Sequence, residues 1–102
     1  MALMDILMKR RSVRSYTGEP VSRKNLEKIL TAGLIGPTGK GKKPWRFVVV
    51  TDPEKLEALS GMRKPAPAAF KTAGAAIAVF GDPGVSDTWV EDCSIAMENM
   101  HV

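Results

Sequence analysis

Three arginines and a serine lie close together just after the first apolar segment of this chain. Arg10, Arg11, Ser12 and Arg14 fall within five consecutive positions. A guanidinium group is planar, permanently charged and rich in donors, so it binds phosphate through paired hydrogen bonds. Each such charge-assisted bond contributes roughly 1.5–3 kcal/mol. A helix end by itself favours cations, but that does not account for Ser12 and Arg14. From these residues alone, a phosphate site and a helix end decorated with cations both stay open.

A second basic stretch is interrupted by glycines. Gly39 and Gly41 alternate with lysines before the chain runs into Pro44-Trp45 and an apolar segment. Glycine permits backbone conformations that are closed to other residues, so we expect amide groups of this loop to approach a ligand. The two basic stretches would then form two sides of one anion-binding site.

The same loop partly matches a nucleotide-binding P-loop. Gly36, four residues and then Gly41-Lys42 fit the first part of that motif. However, Lys43 stands where serine or threonine should hold magnesium, and a predicted helix precedes the loop while a strand follows it. We therefore reject the P-loop interpretation.

Apolar spacing and turn residues predict alternating helices and strands. The strand beginning at Phe47 is a near-continuous valine-rich run, which is typical of a buried strand. The segment from Gly61 to Gly74, with Pro65 and Pro67, is expected to be irregular. The predicted elements are a helix over 2–10, a helix from Ser22 to Gly36-Pro37, a strand over 47–51, a helix opened by Asp52-Pro53, a strand over 75–81 and a helix after Thr88.

The last helix carries an apolar face. Thr88 and Glu91 have the spacing of a capping box at its start. Behind them an i, i+4, i+7, i+8, i+11 pattern indicates side chains that pack in a core, with the thiol in it buried and inert. These side chains are Trp89, Cys93, Ala96, Met97 and Met100.

Composition limits the classes of function. The chain has 102 residues, 44% of them hydrophobic and 25% charged, with a net charge of +4, as in an ordinary single globular domain. One cysteine excludes an internal disulfide and indicates a reducing cytoplasm, and no segment is long enough to span a membrane. His101 has no partner at metal-ligand spacing, so we expect no metal. We found no catalytic triad or paired carboxylates, and we predict no catalytic side chain.

Several motifs together resemble the nitroreductase family of flavin-dependent oxidoreductases. Arg10-Arg11-Ser12-x-Arg14-x-Tyr16 resembles its opening motif, and the stretch from Pro37 to Val50 continues the likeness. Residues 76–82 and 91–99 are similar to the second strand and the start of the long central helix of the family. The resemblance implies an α+β fold with a central sheet flanked by helices. It also implies that residues 1–102 form the N-terminal portion of one such domain, which would continue beyond residue 102.

The resemblance also implies a function and a site. It implies an FMN-dependent oxidoreductase that passes electrons from NAD(P)H to a nitroaromatic, a quinone or a similar electron-poor acceptor, working as a homodimer. The family motifs carry FMN contacts to Arg10, Arg11, Ser12, Arg14, Pro37, Thr38, Gly39 and Gly41. This chain departs from the commonest pattern at Gly41, where asparagine is usual, and at Lys43, where glutamine is usual.

Two other classes of function stay open from the sequence. One is a flavin-binding or structural fragment without turnover. The other is a basic module that binds nucleic acid through lysines beside Trp45 and Phe47. Because these two aromatic residues lead into an apolar strand, we expect them in the core and predict no nucleic-acid partner.

Overall fold

The computed structural model describes residues 2–61 and 68–102. Its two strands are neighbours in a two-stranded sheet, and together with the helices they confirm the predicted α+β class. The elements are α1 (Leu3–Lys9), α2 (Arg23–Leu34), a 3-10 turn (Gly39–Gly41), β1 (Trp45–Val50), α3 (Pro53–Ser60), α4 (Ala68–Thr72), β2 (Ala76–Gly81) and α5 (Trp89–His101).

Local chemistry explains where several helices begin and end. The helix α2 begins directly after Ser22 and ends before Gly36-Pro37, as predicted. At the start of α3, Oδ1 of Asp52 accepts a hydrogen bond from the amide of Glu54 at 3.0 Å. Pro53 occupies the first turn of α3, where its missing N–H costs nothing. The cap and the first-turn proline are thus confirmed.

The chain divides into two compact units. Unit 1 comprises Met1–Arg10, Arg23–Val48 and Val79–Val102, and unit 2 comprises Arg11–Ser22 and Val49–Ala78. The division separates Arg10 from Arg11. Each unit is described by itself below.

In unit 1, α2 packs against α5. A Cβ atom at Gly33 would lie 3.0 Å from Sδ of Met100 and 3.3 Å from Cζ of Phe47, so the small residue permits the close approach. Nδ2 of Asn99 donates to the carbonyl of Ala32 at 3.1 Å and ties the same two helices together.

The core of unit 1 joins β1 to α5. Trp45, Cys93 and Ala96 are buried, and Phe47 is among the partly buried side chains that pack against them. The rings of Trp45 and Phe47 lie 5.4 Å apart between centroids, a separation that favours aromatic pairing. The prediction that both aromatic residues are core residues is confirmed.

In unit 2, α3 packs against α4 and buries Leu56. The prediction of an irregular segment was wrong for residues 68–72, which form α4. Two alanines open this helix, and alanine has the highest helix propensity. Pro65 and Pro67 lie outside the described residues.

Two predictions of burial were also wrong. Val48 of β1 is 48% exposed, and Val49 is exposed as well; a sheet of two strands offers too few neighbours to cover both of its faces. Met97 of α5 is 55% exposed. It lies about 100° around the helix from the fully buried Ala96, at the edge of the buried face.

Close packing at the end of β2 gives a test of this core. A Cβ atom at Gly81 would collide with the Trp89 ring and lie 2.9 Å from Sγ of Cys93. We expect Gly81→Ala to lower the free energy of unfolding by about 1–3 kcal/mol through overpacking, measured by urea unfolding of the full chain.

Gly61→Ala is the matched control. The nearest atom to its added methyl group is the carbonyl oxygen of Ala58 at 3.5 Å, an ordinary contact. Both substitutions restrict the unfolded chain equally. The difference between their free energies of unfolding therefore reports packing in the folded state. Equal stabilities of the two variants would contradict the core described above.

Candidate functional site

The arginine cluster begins at the end of α1. Arg10 is the C-cap residue, and its amide donates to the carbonyl of Ile6 at 3.1 Å. The chain from Arg11 to Ser22 then has no regular secondary structure, and the side chains of Arg11, Ser12 and Arg14 are exposed. Nη1 of Arg14 approaches the carbonyl of Ser12 at 3.5 Å. Unit 2 therefore presents two guanidinium groups and a hydroxyl on one extended segment.

Tyr16 holds this segment within unit 2. Its hydroxyl donates to the carbonyl of Val13 at 2.8 Å, and its amide donates to Oγ1 of Thr72 in α4 at 2.9 Å. Further along, a Cβ atom at Gly74 would collide with the carbonyl of Glu19. The backbone that carries Arg14 is thus anchored although it belongs to no helix or strand.

A cavity of about 910 Å³ opens beside the anchored segment in unit 2. One part of its lining consists of Val13, residues 15–19 and Val21, and Phe70 and Ile77 belong to another part. Among these lining residues, Glu19 is the acidic one. The cavity is mainly apolar, and its shape follows from the way Tyr16 and Gly74 hold the segment.

The glycine loop of unit 1 is a tight turn closed by its own amides. The amide of Gly41 donates to the carbonyl of Thr38 at 3.0 Å, and that of Lys42 donates to the carbonyl of Gly39 at 3.3 Å. The amide of Lys43 donates to Oγ1 of Thr38 at 3.1 Å. These amides are engaged inside the loop, and that loop amides approach a ligand stays a prediction.

The backbone of the loop is strained. Gly41 has a φ of 66°, which glycine accepts readily, but Lys40 at 54° and Lys43 at 52° are also in the left-handed region. A residue with a side chain in that region costs of order 1–3 kcal/mol. Such a conformation persists only where surrounding contacts hold it, and the lysine side chains are exposed.

Asp92 provides one of those contacts, a role that no motif in the sequence predicted. Its side chain is 3% exposed. Oδ1 accepts from the amide of Gly39 at 3.0 Å, and Oδ2 accepts from the hydroxyl of Thr88 at 3.0 Å. The i, i+4 spacing of Thr88 and Asp92 in the first turn of α5 was the available signal.

The predicted capping box at this helix was wrong. Thr88 is the N-cap residue, but its side chain caps no amide. Its hydroxyl donates to the Asp92 carboxylate instead, and a hydrogen bond to a charged acceptor is stronger than one to a neutral group.

A smaller polar cavity of about 260 Å³ lies beside the loop in unit 1. Lys40 and Lys42 line it together with Ser86, Asp87 and Thr88. Two exposed ammonium groups therefore share a polar recess with two hydroxyls and one acidic side chain.

Cys93 and Trp45 lie in the core of unit 1. Burial raises the pKa of the Cys93 thiol above its ordinary value, and the neighbouring charge of Asp92 raises it further. The buried thiol agrees with our prediction for Cys93. Nε1 of Trp45 is buried and finds no hydrogen-bond partner among the described residues.

The predicted site residues divide between the two units. Arg10 and the loop residues Pro37, Thr38, Gly39 and Gly41 belong to unit 1, and the cluster from Arg11 to Arg14 belongs to unit 2. Within unit 1 the structure brings Thr38, Gly39 and Gly41 together in one turn. Among residues 2–61 and 68–102, no three His, Cys, Asp or Glu side chains could hold a metal ion.

The sequence model of the Nitroreductase family matches residues 7–91. The chain belongs to the nitroreductase family. All eight predicted site residues, from Arg10 to Gly41, lie inside the matched region. The family relationship inferred from the motifs is therefore confirmed.

Solved nitroreductase structures share the fold of this chain. An FMN-dependent nitroreductase from Clostridium difficile R20291 aligns with a TM-score of 0.90 and 40% identity, over 96% of this chain and 57% of that one. A nitroreductase with bound FMN from Bacteroides fragilis NCTC 9343 aligns with a TM-score of 0.80 and 26% identity, over 96% of this chain and 61% of that one. The predicted nitroreductase-like fold is confirmed.

Curated relatives agree with the structures. A protein of Archaeoglobus fulgidus, named by inference as an NADH dehydrogenase/NAD(P)H nitroreductase, is 38% identical over 95% of this chain and 58% of its own length. This nitroreductase-family chain thus spans somewhat more than half the length of the relatives that it matches. In the described part of the chain, the helices are too short or too polar to cross a bilayer.

The thiol chemistry of Cys93 gives a prediction. The thiolate is the form that alkylates, and burial together with a raised pKa makes it scarce in the folded state. We expect iodoacetamide to label Cys93 about a hundredfold more slowly in the native chain than in urea. Mass spectrometry over time measures this, and equal rates in both solutions would contradict the burial of Cys93.

Proposed function

We propose that this nitroreductase-family chain contributes to an FMN-dependent oxidoreductase. Such an enzyme would pass electrons from NAD(P)H to a nitroaromatic, a quinone or a similar electron-poor acceptor. The observation that carries the proposal is the exposed donor set of Arg11, Ser12 and Arg14 on an anchored segment, within the region that matches the family. The names of the related nitroreductases support FMN as the cofactor.

The residues of this chain fit the phosphate of FMN. A phosphate ester carries up to two negative charges and accepts several hydrogen bonds, and guanidinium groups with a neighbouring hydroxyl are suited to it. Arg10, Arg11, Ser12 and Arg14 would hold the phosphate and the ribityl chain. Tyr16 would keep the segment in place through its hydrogen bond to Thr72, so that little order has to be acquired on binding.

Within unit 1, the glycine loop would supply further contacts to FMN. Pro37, Thr38, Gly39 and Gly41 would contact FMN by shape and through carbonyl or hydroxyl groups, because the amide of Gly41 is already used within the loop. Exposed Lys40, Lys42 and Lys43 would add positive charge. Lys43, which stands where the family commonly has glutamine, would favour an anionic substrate or the extra phosphate of NADPH.

The chemistry of the proposed reaction needs few protein groups. Bound FMN would supply the two-electron redox chemistry between a nicotinamide donor and the organic acceptor. The protein would bind, orient and enclose these molecules, so no side chain is assigned as an acid, a base or a nucleophile.

The proposed enzyme is a homodimer in the cytoplasm, in which each copy completes the site of the other. Unit 1 exposes large apolar side chains on α1, among them Leu3, Met4 and Met8. Apolar side chains gathered on one element are typical of an interaction surface, which supports association of two copies. The single cysteine supports a reducing compartment.

The phosphate contact can be tested at Arg14. Replacing Arg14 by alanine removes one guanidinium group from the exposed segment. We expect the dissociation constant for FMN to rise about tenfold to a hundredfold, since a hydrogen bond to a charged group contributes roughly 1.5–3 kcal/mol. Quenching of FMN fluorescence during titration of the full chain measures the constant.

Arg23→Ala is the control for this experiment. Arg23 lies on α2, where its exposed side chain pairs with Glu27 at 3.0 Å, and such surface pairs contribute little. This variant loses the same charge and should bind FMN within about twofold of the wild type. If both variants bind FMN equally weakly, the loss of net charge would explain the effect, and a specific phosphate site would be contradicted. A wild-type chain that takes up no FMN would overturn the proposed function.

The assembly gives a separate prediction. If both copies contribute to each site, FMN binding and dimer formation are linked. Sedimentation velocity of the FMN-loaded protein should show a dimer, and dilution to the monomer should release FMN. A monomer that retains FMN tightly would contradict a shared site.

A further inference from the structure

Asp92 is a buried acid that the proposed redox chemistry does not use. Its side chain is 3% exposed in the first turn of α5. A buried carboxylate is costly unless donors satisfy it. No ion pair involves it among residues 2–61 and 68–102, so its hydrogen bonds carry the compensation.

Both carboxylate oxygens of Asp92 are engaged within unit 1. Oδ1 accepts from the backbone amide of Gly39, and Oδ2 accepts from the hydroxyl of Thr88, each at 3.0 Å. Ser86 extends the network, with its hydroxyl 2.9 Å from that of Thr88. One side chain therefore connects the first turn of α5 to the glycine loop, 53 residues earlier in the chain.

The loop and the helix also meet by direct packing. A Cβ atom at Gly39 would collide with the Thr88 hydroxyl. Glycine at position 39 thus lets the loop backbone lie against Thr88, and this approach brings the Gly39 amide within reach of Asp92. The packing and the hydrogen bond hold the same point of the loop.

We propose that Asp92 is a positioning residue for the cofactor site, fixing the glycine loop in the conformation that contacts FMN. The inference rests on the proposed function, because it assumes that this loop belongs to the FMN site. Asp92 would not touch the cofactor. It would act through the amide of Gly39.

The strain in the loop explains why a fixed anchor matters. Lys40 and Lys43 both adopt left-handed backbone conformations, which residues with side chains leave unless other contacts hold them. Without Asp92 the loop would sample other conformations. The dissociation constant for the cofactor would then rise by the factor by which the competent population falls.

Three substitutions distinguish the effect of the hydrogen bond to Gly39 from the effect of the negative charge of Asp92. Asp92→Ala removes both acceptors. Asp92→Asn removes the charge but keeps an oxygen that can accept from the Gly39 amide. It should therefore retain most of the FMN affinity of the wild type. Glu91→Ala is the matched control, since Glu91 is an exposed acid in the same helical turn.

Two readouts are needed on the full chain. The first is amide hydrogen exchange at Gly39, compared with the amide of Leu56, which donates to the carbonyl of Asp52, the N-cap residue of α3, at 3.0 Å. The second is the dissociation constant for FMN. For Asp92→Ala we expect exchange at Gly39 to be about tenfold faster with Leu56 unchanged, and FMN binding to be about tenfold weaker. Glu91→Ala should match the wild type within about twofold in both.

The outcomes distinguish this inference from the proposed function. If the wild type binds FMN and Asp92→Ala binds it equally well, the positioning role is wrong and the proposed function stands. An unchanged exchange rate at Gly39 overturns the role too. If the wild type binds no FMN, the proposed function fails, and this inference fails with it.

A variant of Thr88 covers the case in which Asp92→Ala does not fold. Thr88→Val keeps the shape of the side chain but removes its hydrogen bond to Asp92, whereas Thr88→Ser keeps the hydroxyl. We expect Thr88→Val to weaken FMN binding about threefold and Thr88→Ser to bind like the wild type. Equal binding by both variants would overturn the network as the anchor of the loop.

Discussion

A carboxylate removed from water must be satisfied by donors, and much of the candidate site depends on how Asp92 meets that requirement. Its two oxygens bond the amide of Gly39 and the hydroxyl of Thr88. This ties the glycine loop to the helix that also supplies Cys93 and Ala96 to the core. The loop that contains the strained residues Lys40 and Lys43 is therefore tied to a packed helix at Gly39. This contact fixes the backbone of a basic, glycine-rich loop at Gly39.

Different contacts hold the arginine segment in place. It has neither a helix nor a strand, yet Tyr16 bonds Thr72 through its amide and Val13 through its hydroxyl. The cost of ordering this backbone is met by these contacts when the chain folds, so the cationic side chains can remain exposed for a ligand. In each unit, exposed cationic side chains are thus carried by a backbone that specific hydrogen bonds hold in place.

The apolar surface of the chain bears on the proposed assembly. Leu3, Met4 and Met8 of α1 are exposed in unit 1, and Val48 of β1 is about half exposed. Such side chains gain free energy when another apolar surface covers them. A second copy would provide such a surface in the proposed dimer.

The sequence predicted features that depend on neighbouring residues better than features that depend on residues far apart in the chain. Local rules predicted the helix after Ser22, the Asp52-Pro53 start of α3 and the aromatic core residues Trp45 and Phe47, because spacing, capping and side-chain volume act over a few residues. The arginine and glycine motifs likewise indicated the family, because each is a short run of neighbouring residues. The sequence could not reveal that Asp92 meets Gly39, since that contact joins residues 53 positions apart and depends on how α5 packs in unit 1. The same reason explains the errors at Thr88, Val48 and Met97: the pattern shows that a side chain can cap or be buried, and only the tertiary structure decides which partner it finds.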